Sequence, residues 1–245
     1  MNGLVASVRS VRMSFHLAYA LILACIYPLL RRESQGDRMQ KWALKLLDIL
    51  NVQLHSSGQQ LQPHRVGRLI VANHISWLDV FVINATTPAR FVAKSEVRRW
   101  PFFGWLVQRA GTVFIRREVK RDTALVNQCL ARDLLDGGDI ALFPQGTSTD
   151  GSQPVRFHSS MLQCAIDAGA VVWPVAICYH DGQGRRLSEL GFAGEMTFIH
   201  SLWKTMCMPR IEASSIYLPG IASAEMSRRE IAAVAQDAVN RVLMP

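Results

Sequence analysis

The chain has 245 residues, 49% of them apolar and 19% charged, a balance that excludes a disordered polypeptide and suits one α/β domain with a short appendage. Its formal charge of +8 points to a polyanion, either nucleic acid or an anionic membrane face. The basic residues are spread along the chain and its N-terminus is apolar, so no nucleic-acid partner is expected.

The first element is an uncharged stretch of 18 residues from Met13 to Leu30, at the short end of the roughly 17–25 that cross a bilayer. Arg9, Arg12, Arg31 and Arg32 flank it on both sides, so the positive-inside rule gives no orientation. Pro28 and the arginines beyond it make a poor cleavage site for a signal peptide. The stretch reads as an uncleaved anchor that enters or lies in the cytoplasmic leaflet; a buried core helix is the alternative. Next, Asp37–Leu50 carries Met39, Trp42, Ala43, Leu46, Leu47 and Leu50 at helical spacing. Such an amphipathic helix either packs on the domain or lies on the bilayer surface. Ser56 to Gln62 is polar and reads as a connecting loop.

From Arg68 onward short apolar runs alternate with helical patterns. Strands are expected at Leu69–Ala72, Phe91–Ala93, Thr112–Ile115, Ile140–Phe143 and Val171–Ile177, and helices at Ile75–Asn84, Phe102–Arg109, Thr123–Leu135 and Ser159–Ala168. Runs that are apolar throughout imply a sheet covered on both faces, hence a mostly parallel α/β architecture. Pro174 within the last run points to an edge strand or a bulge. Between Arg185 and Gly220 only Ile211–Tyr217 reads as a strand, and Ser227 with Glu230 forms a capping box that opens a final helix ending at Leu243.

The densest chemistry lies in Val71-Ala-Asn-His-Ile-Ser-Trp-Leu-Asp79. His74 falls at a turn after a strand, where α/β proteins expose reactive groups. A neutral imidazole accepts a proton from a hydroxyl, and a carboxylate such as Asp79 sets its tautomer. Alone, the pair also suits a capping histidine and a surface aspartate. No G-x-S-x-G elbow, H-E-x-x-H motif, Walker loop or G-x-G-x-x-G loop occurs, so a substrate hydroxyl is the natural nucleophile. Gly111-Thr-Val-Phe-Ile-Arg-Arg117 ends in two guanidinium groups suited to an anion, or simply solvated. Phe143-Pro-Gln-Gly-Thr147 leads into a loop whose N–H groups suit an anion or oxyanion, or form an ordinary turn. Five scattered cysteines, Cys25, Cys129, Cys164, Cys178 and Cys207, have no C-x-x-C spacing, so neither a metal site nor a disulfide framework is expected.

Taken in order, these blocks resemble the lysophosphatidic acid acyltransferase family, whose members carry N-H-x4-D, G-x-x-F-I-x-R, F-P-E-G-T and V-P-V blocks. Here they are Asn73-His74 with Asp79, Gly111 to Arg117, Phe143-Pro-Gln-Gly-Thr147, and Trp173-Pro-Val175. Ala93-Lys94-Ser-Glu96 and Pro101-Phe-Phe-Gly104 are similar to the family's linking segment, and the likeness runs from about Gly67 to Lys204. It implies His74 as general base and Asp79 as its orienting partner. It further implies Arg117, and with it Lys94, against the acceptor's anionic head group, a site loop of Gln145, Gly146 and Thr147, and Asn73 shaping the turn. The resemblance implies an acyl-ACP or acyl-CoA donor, a lysolipid acceptor (first of all 1-acylglycerol-3-phosphate), and no cofactor or metal. It places residues 61–245 as the acyltransferase domain behind an anchoring segment at residues 1–60, on the cytoplasmic face of the inner membrane. Two departures stand out: Gln145 replaces the family's Glu, and Ser148 replaces an Arg that often follows the Thr. The form G-T-S-T-D-G is similar to the branch that acylates lyso-ornithine lipid, and Gln145 opens the alternative of an impaired lipid-binding relative.

Overall fold

The computed structural model describes residues 3–244, apart from residues 60, 62–65, 117–118 and 193–196. An eight-stranded sheet organises the chain: β1 Val52–Gly58, β2 Leu69–Ala72, β3 Arg90–Lys94, β4 Val113–Ile115, β5 Ile140–Leu142, β6 Val171–His180, β7 Ile211–Tyr217 and β8 Ile221–Ala222. Their spatial order is β1-β7-β6-β2-β5-β3-β4, with β8 also beside β6. Among the described residues only the strand pairs of β6 with β7 and with β8 are antiparallel. The helices are α1 Gly3–Ile26, α2 Arg32–Ile49, α3 Asp79–Thr86, α4 Phe103–Arg109, α5 Lys120–Leu135, α6 Gln163–Ala168, α7 Phe198–Cys207 and α8 Arg228–Leu243.

Successive side chains of a strand point to opposite faces, and all four of β2 are buried, so each face of the sheet has its own core. Leu69 and Val71 join Leu130 and Leu134 of α5, Ala165 of α6 and Ile231 and Val239 of α8. Ile70 and Ala72 join Leu46 and Leu47 of α2 and Val82 and Ile83 of α3. This is the expected mostly parallel sheet covered by helices. The capping box is formed: Ser227 Oγ accepts from the Glu230 N–H at 3.3 Å and the Glu230 carboxylate accepts from the Ser227 N–H at 2.7 Å.

Several elements differ from the sequence reading for identifiable reasons. Residues 56–58, expected in a loop, belong to β1, an edge strand whose side chains are mostly exposed and therefore polar. The helix expected from Ile75 begins at Asp79, because the residue 75 and 76 amides bond to the Asp79 side chain instead of entering a helix. Ser159–Met161 is a 3-10 turn ahead of α6. Pro174 lies in an interior strand, against the expectation of an edge. It is tolerated because the partner on one side breaks between Tyr217 and Ile221, opposite the proline. The helix α7 had no counterpart in the sequence reading.

The N-terminal helix is longer than the uncharged stretch and takes in both leading arginines. Ala6, Arg9, Met13, His16, Ala20 and Leu23 recur at alternating spacings of three and four and are buried, so α1 docks lengthwise on the domain. It touches α2, α4 and α7. Arg9 is an internal cap: its guanidinium donates to the carbonyls of Met206, Met208 and Pro209, at and beyond the α7 C-terminus, where a cation is favoured. The opposite strip, including Phe15, Tyr19 and Ile22, is exposed. The amphipathic α2 packs on the domain, and β1, within the expected anchoring segment, pairs with β7 of the sheet.

Because α2 belongs to the core, its two faces should respond differently to truncation. Leu47→Ala (2% exposed) should cost about 2–5 kcal/mol. Leu44→Ala (46% exposed) should stay within about 0.5 kcal/mol; urea unfolding of the two variants reads the difference.

Candidate active site

The site forms where β2 and β5 end side by side, Val71 being paired with Leu142. Beyond Ala72 the backbone leaves the ladder, and Asn73 extends the pairing with its side chain. The Asn73 amide donates to the Ile177 carbonyl at 2.9 Å and accepts from the Ile177 N–H at 2.7 Å, imitating a further strand residue beside β6. This clamp fixes where the turn begins.

His74 follows the clamp. Its carbonyl accepts from the Thr149 N–H at 2.9 Å, and its N–H donates to Gln145 Oε1 at 2.5 Å. The imidazole stacks on Phe143, with centroids 4.1 Å apart and planes 9° apart. Both the backbone and the ring of His74 are thus held by the segment leaving β5. Asp79 Oδ2 lies 2.7 Å from His74 Nδ1. A carboxylate accepts and does not donate here, so in the neutral ring Nδ1 carries the proton and Nε2 has the lone pair.

Asp79 itself is fully buried (0% exposed). Its charge is met by the Ile75 and Ser76 N–H groups at 2.7 and 2.9 Å on Oδ2, and by the Tyr179 hydroxyl at 2.6 Å on Oδ1. Burial, together with the Asp79 charge and hydrogen bond, pushes the Tyr179 hydroxyl well above its ordinary pKa, so it remains a donor. The sequence reading missed Tyr179 because it ended the strand at Ile177. The available signal was period two: Tyr179 shares a face with Val175 and Ile177 in the same core.

Of the other expected residues, Gln145 sits beside His74 and serves as an acceptor for its amide, a task that needs an oxygen and no charge. Gly146 takes φ +80°, and its N–H closes a turn on the Phe143 carbonyl at 3.1 Å. Gly146 and Thr147 line the cavity described below, as does Lys94 at the end of β3. Arg117 lies outside the described residues. Ser148 is buried, its hydroxyl donating to the Phe192 carbonyl.

His74 opens onto a cavity of about 490 Å³. The walls away from His74 are apolar, with Leu17 of α1, Trp42 of α2, Phe81 of α3, Phe103 of α4 and Leu202 of α7. Lys94 and Glu96 are the only charged Lys, Arg, Asp or Glu side chains among its described lining residues. The arrangement joins a proton acceptor to a slot sized for a hydrocarbon chain.

Residues 53–178 match the model of a family described as Acyltransferase. The chain is 36% identical to a lyso-ornithine lipid O-acyltransferase of Pseudomonas aeruginosa, over 96% of this chain and 92% of that protein. It is 37% identical to a 1-acyl-sn-glycerol-3-phosphate acyltransferase of Neisseria gonorrhoeae, over 70% of this chain and 65% of that one. The crystal structure of a 1-acyl-sn-glycerophosphate acyltransferase from Thermotoga maritima superposes with a TM-score of 0.72 at 18% identity, covering 98% of this chain and 94% of that chain. That likeness is one of fold.

The Tyr179 contact should be measurable. Tyr179→Phe should lower turnover with an acyl thioester and a lysolipid about tenfold at a nearly unchanged KM. It should also cost about 1.5–3 kcal/mol in denaturant unfolding, the scale of a buried hydrogen bond to a charge.

Proposed function

The chain belongs to the acyltransferase family, and from that premise we propose that it moves a fatty acyl group from a thioester to the hydroxyl of a lysolipid, with His74 as general base. The observation that carries this reading is the Nδ1 contact with buried Asp79, which leaves Nε2 as the proton acceptor of a residue that lines the cavity. The lysolipid hydroxyl gives its proton to Nε2 while its oxygen attacks the thioester carbonyl. Asp79 stabilises the imidazolium that results. When the tetrahedral intermediate collapses, the C–S bond breaks, the proton passes to the departing thiolate, and His74 is neutral again. Acyl carrier protein or coenzyme A supplies the thioester, and both are polyanions suited to a chain of charge +8. The apolar cavity accommodates an acyl chain while its Lys94 end meets a polar head group.

Substitution of the family's Glu by Gln145 leaves the amide contact to His74 in place, which supports an active enzyme over a purely lipid-binding relative. Between the two acceptors, Ser148 supports lyso-ornithine lipid over 1-acylglycerol-3-phosphate. No cation stands after Thr147, and Lys94 with Glu96 at the rim suits a head group of mixed charge. The near full-length similarity to a lyso-ornithine lipid O-acyltransferase supports the same choice. We place the protein on the cytoplasmic face of the inner membrane. Since α1 docks on the domain by one stripe and leaves most of its apolar surface open, the open surface is the part we assign to the leaflet.

Purified protein, given an acyl thioester and each lysolipid in turn, should yield diacyl product with lyso-ornithine lipid in preference to 1-acylglycerol-3-phosphate. His74→Ala should reduce that yield about 10²–10⁴-fold with the unfolding midpoint preserved. Product by mass spectrometry is the readout: half-activity in the variant overturns the role of His74, and no product from any lysolipid overturns the enzyme reading.

A further inference from the structure

The helix α7 buries Met206 and packs Leu202 on the core, yet its other positions run against the pattern of a helix in water. It turns Ser201 and Thr205 inward, where the Ser201 hydroxyl accepts from Trp77 Nε1 at 3.1 Å and the Thr205 hydroxyl donates to the Ser201 carbonyl at 2.8 Å. Outward, one turn apart, it presents Ile199 (78% exposed) and Trp203 (53% exposed). Neither is needed to close the core.

The tip before α4 repeats the pattern. Phe102 sits at φ +60°, ψ −50°, and the Phe103 N–H donates to the Pro101 carbonyl at 2.6 Å. This is a γ-turn of the positive-φ kind, sterically costly for a bulky residue. The turn holds the Phe102 ring 77% exposed, and the exposed Trp105 follows three residues on. Gly104 makes the tight return possible, since a Cβ there would lie 2.2 Å from the Arg98 carbonyl oxygen. Strain that serves to hold an aromatic ring in water calls for a partner that takes the ring.

Tip and helix form one surface. Phe198, the first residue of α7, packs on Trp100 at 5.9 Å and on Phe103 at 4.8 Å, and α1 touches both α4 and α7. Arg98, Arg99 and Arg109 are exposed along the tip, with the Arg109 guanidinium 5.7 Å from the Trp105 ring.

We propose that Phe102, Trp105, Ile199 and Trp203 form a second membrane-inserting surface, separate from α1, that seats in a bilayer of anionic lipid. Aromatic rings flanked by arginine match the head-group boundary, where ring and guanidinium meet acyl carbon and phosphate. The inner sides of the same elements, Trp100, Phe103, Phe198 and Leu202, line the cavity that leads to His74. A lipid tail therefore passes from leaflet to cavity between residues already seated in the membrane. This purpose rests on the lysolipid reading above, whereas the adsorption is measured without turnover.

Full-length protein and the triple variant Phe102→Ser, Ile199→Ser, Trp203→Ser are sedimented with vesicles of phosphatidylethanolamine and phosphatidylglycerol, and with phosphatidylcholine alone. The variant should lose about tenfold or more of its partition into the anionic vesicles, the wild type should prefer them, and the variant's unfolding midpoint should be preserved. As a check that does not depend on the triple variant folding, chain-brominated lipid should quench wild-type tryptophan fluorescence, and Trp203→Phe should remove part of that quenching. Unchanged partition together with unchanged quenching would assign adsorption to α1 alone and overturn the proposal. A wild-type dimer in vesicle-free buffer that the triple variant abolishes, with partition intact, would overturn it in favour of a second copy of the chain. A protein that inserts through this surface and acylates no lysolipid would overturn the functional reading and leave this inference standing.

Discussion

A carboxylate with no water around it must find its donors within the protein, and Asp79 is in that position. Its partners come from separate parts of the chain: two amides of its own turn, the imidazole of His74, and a hydroxyl from β6 a hundred residues later. Each donor depends on a different piece of the fold. The amides require residues 75–78 to form a turn in place of the first turn of a helix. The hydroxyl requires β6 to lie next to β2 in the observed register, which the Asn73 clamp on Ile177 also enforces. Satisfying one buried charge therefore positions the imidazole, and the same bonds that protect the carboxylate set the tautomer that leaves Nε2 with its lone pair.

The apolar half of the site draws on helices outside the four motif blocks as well as on Phe143 within one of them. α1, α2, α4 and α7 all contribute wall residues. The N-terminal helix thus has two faces with different tasks. Its inner stripe at spacings of three and four belongs to the protein core, and Arg9 within that stripe finishes α7. Its outer stripe is exposed and apolar. An arginine that looks like the border of an anchor in the sequence is a buried cap in the fold, because three carbonyls are there to receive it.

Elements whose burial pattern follows from local chemistry were legible in advance. The interior strands β2 and β5, and β6 from Val171 to Ile177, are apolar throughout because helices cover both sides, and β7 matches its expected span residue for residue. Where the local pattern misleads, the cause is an environment that the sequence does not contain. β1 is polar because it is an edge, α7 turns Ser201 inward where it accepts from Trp77, and Pro174 is interior because its neighbouring strand breaks opposite it. Within the site, His74, Asp79 and Gln145 were identified by their spacing in blocks. Tyr179 was not, since nothing local distinguishes a tyrosine near a strand end from any other core aromatic.

By itself the sequence determined the class of fold, the family, and the histidine and aspartate at its centre, because these depend on periodicity and on the order of short blocks along the chain. Only the tertiary structure decided which donors satisfy Asp79, what Gln145 holds, and that α1 docks along the domain while α4 and α7 turn apolar residues outward. Those are contacts between residues far apart in the chain, fixed by strand order and helix packing. Their energies depend on burial, which exists only once the chain has folded.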